Sequence, residues 1–110
     1  MRPHDLITIL NKLKVLNSEM PIGQILVLLE VARSGETGTS LAVIAKNLAL
    51  GEASCSRHIS ALGSINRYHK EGHKLLDAIE NPVDRRNKII GLTFAGKIFM
   101  KDLLKQQEEQ

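Results

Sequence analysis

The stretch Asn81-Pro-Val-Asp-Arg-Arg-Asn-Lys-Ile-Ile-Gly-Leu-Thr-Phe-Ala-Gly96 constrains what this chain can fold into more than any other. Turn-forming and charged residues from Glu80 to Asn87 separate two short runs, Leu75 to Ile79 and Lys88 to Leu92, each of strand length. The spacing predicts a β-hairpin with Asp84, Arg85 and Arg86 at its tip, a shape suited to entering a nucleic-acid groove. Thr93 follows as an N-cap, because its hydroxyl can accept from the free N–H groups of a helix start. Phe94, Ile98, Phe99, Met100, Leu103 and Leu104 continue as a closing helix over residues 94–105. These six spread around most of the helix circumference, so the helix needs apolar cover on more than one side. Either a second subunit supplies it or the helix tucks between the first two helices of its own chain.

With 110 residues, 43% of them hydrophobic, the chain supports one domain with one core. A single domain is expected over residues 1–105, with a frayed tail at 106–110. No run of 18 apolar residues is present, and the N-terminus has a helical apolar pattern rather than that of a signal peptide. One cysteine makes no intramolecular disulfide framework. The expectation is a cytoplasmic protein without a membrane partner.

Charge is unevenly placed. Residues 1–53 sum to zero, residues 54–101 to +5 and the tail from Asp102 to −2. Positive charge gathers in the half that holds the hairpin, as a polyanion footprint would.

Leu6, Ile9, Leu10, Leu13 and Leu16 are spaced three and four apart, which predicts one inward face of a helix over about 3–17, with Ile7 and Val15 off that face. Pro21 sits where a first helical turn tolerates it, and Ile22, Ile25, Leu26, Leu29 and Ala32 line a second helix. Ser34 to Gly38 stops it. Ser40 then caps a third helix whose Leu41, Ile44, Ala45 and Leu48 face inward, and a fourth begins immediately after Gly51.

Two short helices joined by a tight turn have the layout of a helix-turn-helix. At 100° per residue, Cys55, Ile59 and Leu62 form the buried stripe of the fourth helix. Ala53, Arg57, Ser60 and Ser64 lie opposite, flanked by Ser54 and Ala61 on one side and Ser56 on the other. Small side chains let a helix backbone approach the floor of the major groove, and an arginine among them can make the bidentate contact to guanine. A solvated face would be richer in Glu and Lys.

The helix pair over Ser40 to Leu62, with Ile44-Ala45 and Leu48 in the first member and Ser54-x-Ser56-Arg57-x-Ile59-x-x-Leu62 in the second, resembles the reading head of MarR-like winged-helix DNA-binding proteins. Asp84-Arg85-Arg86 and Leu92-Thr93-x-x-Gly96 resemble their wing and closing helix. The resemblance covers roughly residues 20–100. It implies a mainly α fold with a small β-hairpin (α+β), a winged helix-turn-helix. It further implies a homodimer joined through its terminal helices, acting as a sequence-specific double-stranded DNA-binding transcriptional regulator, most simply a repressor. Ser54, Ser56, Arg57, Ser60, Ala61 and Ser64 would then meet the major groove, and Asp84, Arg85, Arg86 and Lys88 would form the wing, with Asp84 orienting a neighbouring arginine. Arg67, Lys70 and Lys74, in a connection longer than the family's, would either extend the recognition helix or form a basic loop that meets phosphates. A plasmid or phage origin or partition-site binder, or a winged-helix protein-interaction module, is the alternative.

Other chemistry has little support in the residues. His69 and His73 lack a third metal ligand at convincing spacing. Cys55 falls on the core side of its helix, where a thiol is inert. There is no catalytic triad pattern, no paired carboxylates and no phosphate-binding loop motif, so an enzyme is not expected. No cofactor is expected. The terminal helices look short for the family, and only Tyr68, Phe94 and Phe99 are aromatic, which argues against a small-molecule effector.

Overall fold

In a computed structural model the described residues are 1–63, 72–84 and 87–108, with side chains described as far as Lys105. The elements run α1 (Pro3–Leu16), α2 (Ile22–Arg33), α3 (Leu41–Leu48), α4 (Glu52–Leu62), β1 (Leu76–Glu80), β2 (Lys88–Leu92) and α5 (Phe94–Glu108), with a 3-10 turn at Gly35–Thr37. Most of the local signals act as their chemistry dictates. Pro3 opens α1, where Asp5 accepts from the Arg2 N–H at 2.9 Å. The Ser40 hydroxyl accepts from the Val43 N–H at 3.3 Å and starts α3. The Thr93 hydroxyl accepts from the Gly96 N–H at 2.9 Å and starts α5. α1 stops at Leu16, one residue short of expectation, because Asn17 turns extended and its side chain takes the Glu19 N–H. α5 continues to Glu108, so the helix persists three residues into the stretch expected to fray.

Between α3 and α4 the chain turns at Ala49, which adopts the left-handed conformation with φ 54°. The Leu50 N–H reaches back to the Ala45 carbonyl and the Ala49 N–H to that of Lys46, closing α3 in the pattern that usually employs glycine. The sharp turn lets α4 pack across both α2 and α3.

The hairpin is antiparallel, with Leu76 opposite Leu92 and Glu80 opposite Lys88. β1 begins one residue later than the apolar run suggests, since the Leu75 N–H is committed to the Leu62 carbonyl at the end of α4, 2.8 Å away. A one-residue third strand completes the sheet: Thr39 exchanges both backbone hydrogen bonds with Ile90, at 2.9 and 2.6 Å. β2 is thereby bonded on both sides.

The core draws Ile9 and Leu13 from α1, Val27, Leu28 and Val31 from α2, Ile44 from α3, Cys55 and Leu62 from α4, Ile90 from β2, and Met100 and Leu103 from α5. Cys55 is fully buried, as its angle on α4 predicts, and burial followed by the nearby Glu52 carboxylate pushes its thiol pKa up. The inward faces expected of α1 and α2 are only partly covered. Leu6 and Leu10 are close to half exposed, Ile22 is three-quarters exposed and Leu26 is also exposed. α1 packs chiefly on α5, so a single neighbour covers the Asp5, Ile9, Leu13 line and leaves the adjacent apolar flank open. On α5, Phe94 and Ile98 are likewise exposed while Met100 and Leu103 are buried.

Candidate nucleic-acid interface

The candidate interface is built on α4, whose apolar stripe is anchored in the core and whose other side is open. Ala53, Ser56 and Arg57 are exposed, and Ser54, Ser60 and Ala61 are half-buried. The Arg57 guanidinium donates to the Ser54 hydroxyl at 3.2 Å, which steers it along the helix surface. Ser60 and Ala61, expected on or beside the open face, are partly covered because the chain returns over the end of the helix. Ser64, also expected there, lies outside the described residues.

That return is a backbone joint. The carbonyls at a helix C-terminus lack partners within the helix. Here the N–H groups of His73, Lys74 and Leu75 donate to the carbonyls of Ala61, Gly63 and Leu62 at 3.1, 2.8 and 2.8 Å. α4 therefore ends at Leu62, and the long connection does not lengthen it. The Lys74 carbonyl then accepts from the Thr93 hydroxyl at 2.7 Å, and the Leu75 carbonyl accepts from the Thr93 N–H at 2.9 Å. Lys74 itself is exposed. The base of the hairpin, the end of α4 and the start of α5 meet at this point, so helix and hairpin are held as one unit. Two glycines admit the close approach: a Cβ on Gly72 would lie 2.3 Å from the Gly63 carbonyl oxygen, and one on Gly96 would lie 2.1 Å from that of Leu75.

Between α4 and the hairpin lies a cleft of about 570 Å³. Its polar lining includes Ser56 and Ser60 from α4, Asn87 and Lys88 from the hairpin, and the carboxylates of Glu52 and Asp77. Three expected interface residues, Ser56, Ser60 and Lys88, are thus brought to one concavity. At the hairpin tip the Asn81 side chain accepts from the N–H groups of Val83 and Asp84 at 2.9 and 3.3 Å, and the Asp84 carboxylate accepts from the Asn87 amide at 2.8 Å. Arg85 and Arg86, the expected wing arginines, lie outside the described residues, as do Arg67, Tyr68, His69 and Lys70. Among the described residues no group of three potential metal ligands forms.

One contact behind α4 has no periodic signature in the sequence. His58 packs on α2 so closely that a Cβ on Gly23 would lie 2.6 Å from its Nε2. Burial, and then the Arg57 guanidinium, hold the His58 pKa below the ordinary imidazole value; burial does the same at His73. In the unfolded chain both rings take up protons around pH 6.5, whereas the folded protein resists this. Stability is therefore full above that pH, falls as pH drops through it, and levels off below the folded values. We expect the denaturation midpoint to fall between pH 7.5 and 5.5, and to fall less in His58→Gln/His73→Gln. An equal fall in the double variant would contradict this assignment.

Four helices, a one-residue strand, a hairpin and a closing helix define a winged helix-turn-helix domain. No protein-family model and no curated protein matches the sequence. Solved structures do match. A MepR variant from S. aureus bound to an oligodeoxyribonucleotide superposes with a TM-score of 0.76 at 22% identity, over 96% of this chain and 70% of that one. MarR from E. coli, as a mutant complexed with operator DNA, gives 0.64 at 17% identity over 90% of this chain and 67% of that one. BpsR from Bordetella bronchiseptica, whose DNA binding is regulated by 6-hydroxynicotinic acid, gives 0.62 at 21% identity over 96% and 70%. The chain has the winged-helix fold of these regulators and spans 53–70% of the length of such solved chains. No helix among the described residues is long and apolar enough to cross a membrane.

Proposed function

We propose that this protein is a sequence-specific double-stranded DNA-binding regulator of the MarR type, acting as a homodimer and most simply as a cytoplasmic repressor that occludes its site. The observation that carries this reading is the open face of α4. Ala53 and Ser56 surround Arg57 on a helix fixed by backbone bonds to a hairpin whose Lys88 lines the same cleft as Ser56 and Ser60. Small residues allow close approach to base edges, and Arg57 supplies the fork that guanine accepts. Lys88 and the wing arginines Arg85 and Arg86 would serve the backbone and the neighbouring minor groove. Lys74, Arg67 and Lys70 would serve phosphates beside the helix end, and Ser54, Ala61 and Ser64 would border the contact. No cofactor, catalytic step or effector enters the reading.

Dimerisation is supported by the uncovered apolar flanks of the two terminal helices. α1 and α5 lie together, joined by Lys12 to the Asp102 carbonyl at 2.8 Å, yet each leaves large apolar side chains in water: Leu6, Ile7 and Leu10 on one, Phe94 and Ile98 on the other. Such patches mark association surfaces. A two-fold dimer would present two α4 helices to half-sites about 34–36 Å apart. Selection of bound duplexes from a random library, with the mass of the complex measured, tests this. The expected result is an inverted repeat with half-sites about one helical turn apart, bound by two subunits. A monomer that enriches no sequence would refute it.

A further inference from the structure

Glu52 is the first residue of α4, is exposed, and lines the cleft beside Ser56 and Ser60, its neighbours one and two turns along the helix. Its carboxylate makes no hydrogen bond or ion pair with the described residues. A carboxylate in this position would be repelled by every phosphate of a duplex docked on α4. Docking is most favourable where the carboxylate meets a hydrogen-bond donor, and on the DNA side the major groove offers such donors on base edges: the amino groups of cytosine and adenine. Adenine sets an acceptor, N7, beside its amino group, which disfavours a second acceptor from the protein, whereas cytosine offers its N4 amino group without one.

Building on the DNA-binding reading above, we propose that Glu52 is a specificity-determining residue that accepts a hydrogen bond from cytosine N4 in the major groove. Arg57 lies five residues further along α4, about 7.5 Å along the axis and about 140° around it at 100° per residue, so Glu52 and Arg57 flank the line of Ser56 and Ser60 and address different base pairs of one half-site. Ser56, one turn from Glu52 on the same cleft wall, accepts or donates to either base and adds no strong preference of its own.

The test is duplex selection and competition binding with the full chain and with Glu52→Ala and Glu52→Gln. The unsubstituted protein is expected to require cytosine at one position of each half-site. Glu52→Ala makes that position degenerate, losing about 5- to 100-fold discrimination there, while binding to unrelated duplexes tightens as a repulsive charge is removed. Glu52→Gln, which keeps the size of the side chain and the helix start, moves the preference at that position toward adenine, whose N6 and N7 match an amide. N4-methylcytosine placed there weakens the unsubstituted protein and leaves Glu52→Ala unaffected. If both variants bind every duplex more tightly by one common factor and keep the original base preferences, Glu52 is a repulsive surface charge and the assignment fails, with the DNA-binding reading intact. If the unsubstituted chain selects no duplex, both fail together.

Discussion

Gly96→Ala lowers the stability of the protein by about 1–3 kcal/mol, the usual cost of forcing a methyl group into a packed site. Helix propensity alone predicts the opposite sign, since alanine is better than glycine inside a helix by about 1 kcal/mol. The added Cβ would stand 2.1 Å from the Leu75 carbonyl oxygen and 3.2 Å from Leu92 Cδ2. A flexible side chain could swing away, but Leu75 is held at both ends of its peptide groups. Its N–H donates to Leu62 and its carbonyl accepts from Thr93, at 2.8 and 2.9 Å, and the residue is buried. Retreat would therefore loosen the joint between α4 and the hairpin. Chemical denaturation of the variant checks this, and a gain in stability would show that the joint yields freely. Because the same joint aligns helix and hairpin, the variant is also expected to bind duplex DNA less tightly at temperatures where it remains folded.

On the proposed function, Arg57→Ala is expected to act on recognition without acting on the fold. Arg57 is exposed, and the hydrogen bond it makes is to Ser54, one turn away, so folding stability should stay within about 0.5 kcal/mol of the parent. Affinity for the preferred duplex should fall by about 1–3 kcal/mol, and discrimination against a duplex changed at the matching guanine should vanish. Lys88→Ala offers the contrast, weakening preferred and unrelated duplexes by a similar factor because phosphate contacts carry no sequence. Competition binding separates the two patterns. If Arg57→Ala kept the parental site preference, the helix face described above would not be the reading surface.

Much of this architecture is legible in the sequence because it is written in local chemistry. Ser40 and Thr93 cap the helices they precede, Cys55, Ile59 and Leu62 set the inward side of α4, and the apolar run Lys88–Leu92 is β2 to the residue. What escapes such reading is non-local. The Thr39–Ile90 bridge is a single residue pair with no periodic signal. The joint at the end of α4 consists of backbone N–H and carbonyl groups from His73 to Leu75, which no side-chain pattern encodes; only the glycines at 72 and 96 hint at it. Periodicity gave Leu6, Leu10, Ile22 and Leu26 an inward place because it cannot tell which neighbour covers a helix flank, and within one chain α5 covers only part of α1. On the candidate interface the helical positions of Arg57 and Ser56 follow from angle alone. The cleft that joins Ser56 and Ser60 to Lys88 required the fold, and so did the place of Glu52 on its wall, since in sequence an acidic residue at a helix start reads as a partner for the helix dipole.

The central claim, that one face of this protein grips duplex DNA through α4 and the hairpin, is tested most directly by titrating a selected duplex with the protein over a range of salt concentrations. If each subunit neutralises several phosphates, log affinity falls linearly with log salt, with a slope of about −0.9 for each phosphate contacted. A combined slope of roughly −4 or steeper is expected for a dimer with several basic contacts per subunit. Affinity that is absent at low salt, or that does not change as salt is raised, would contradict it.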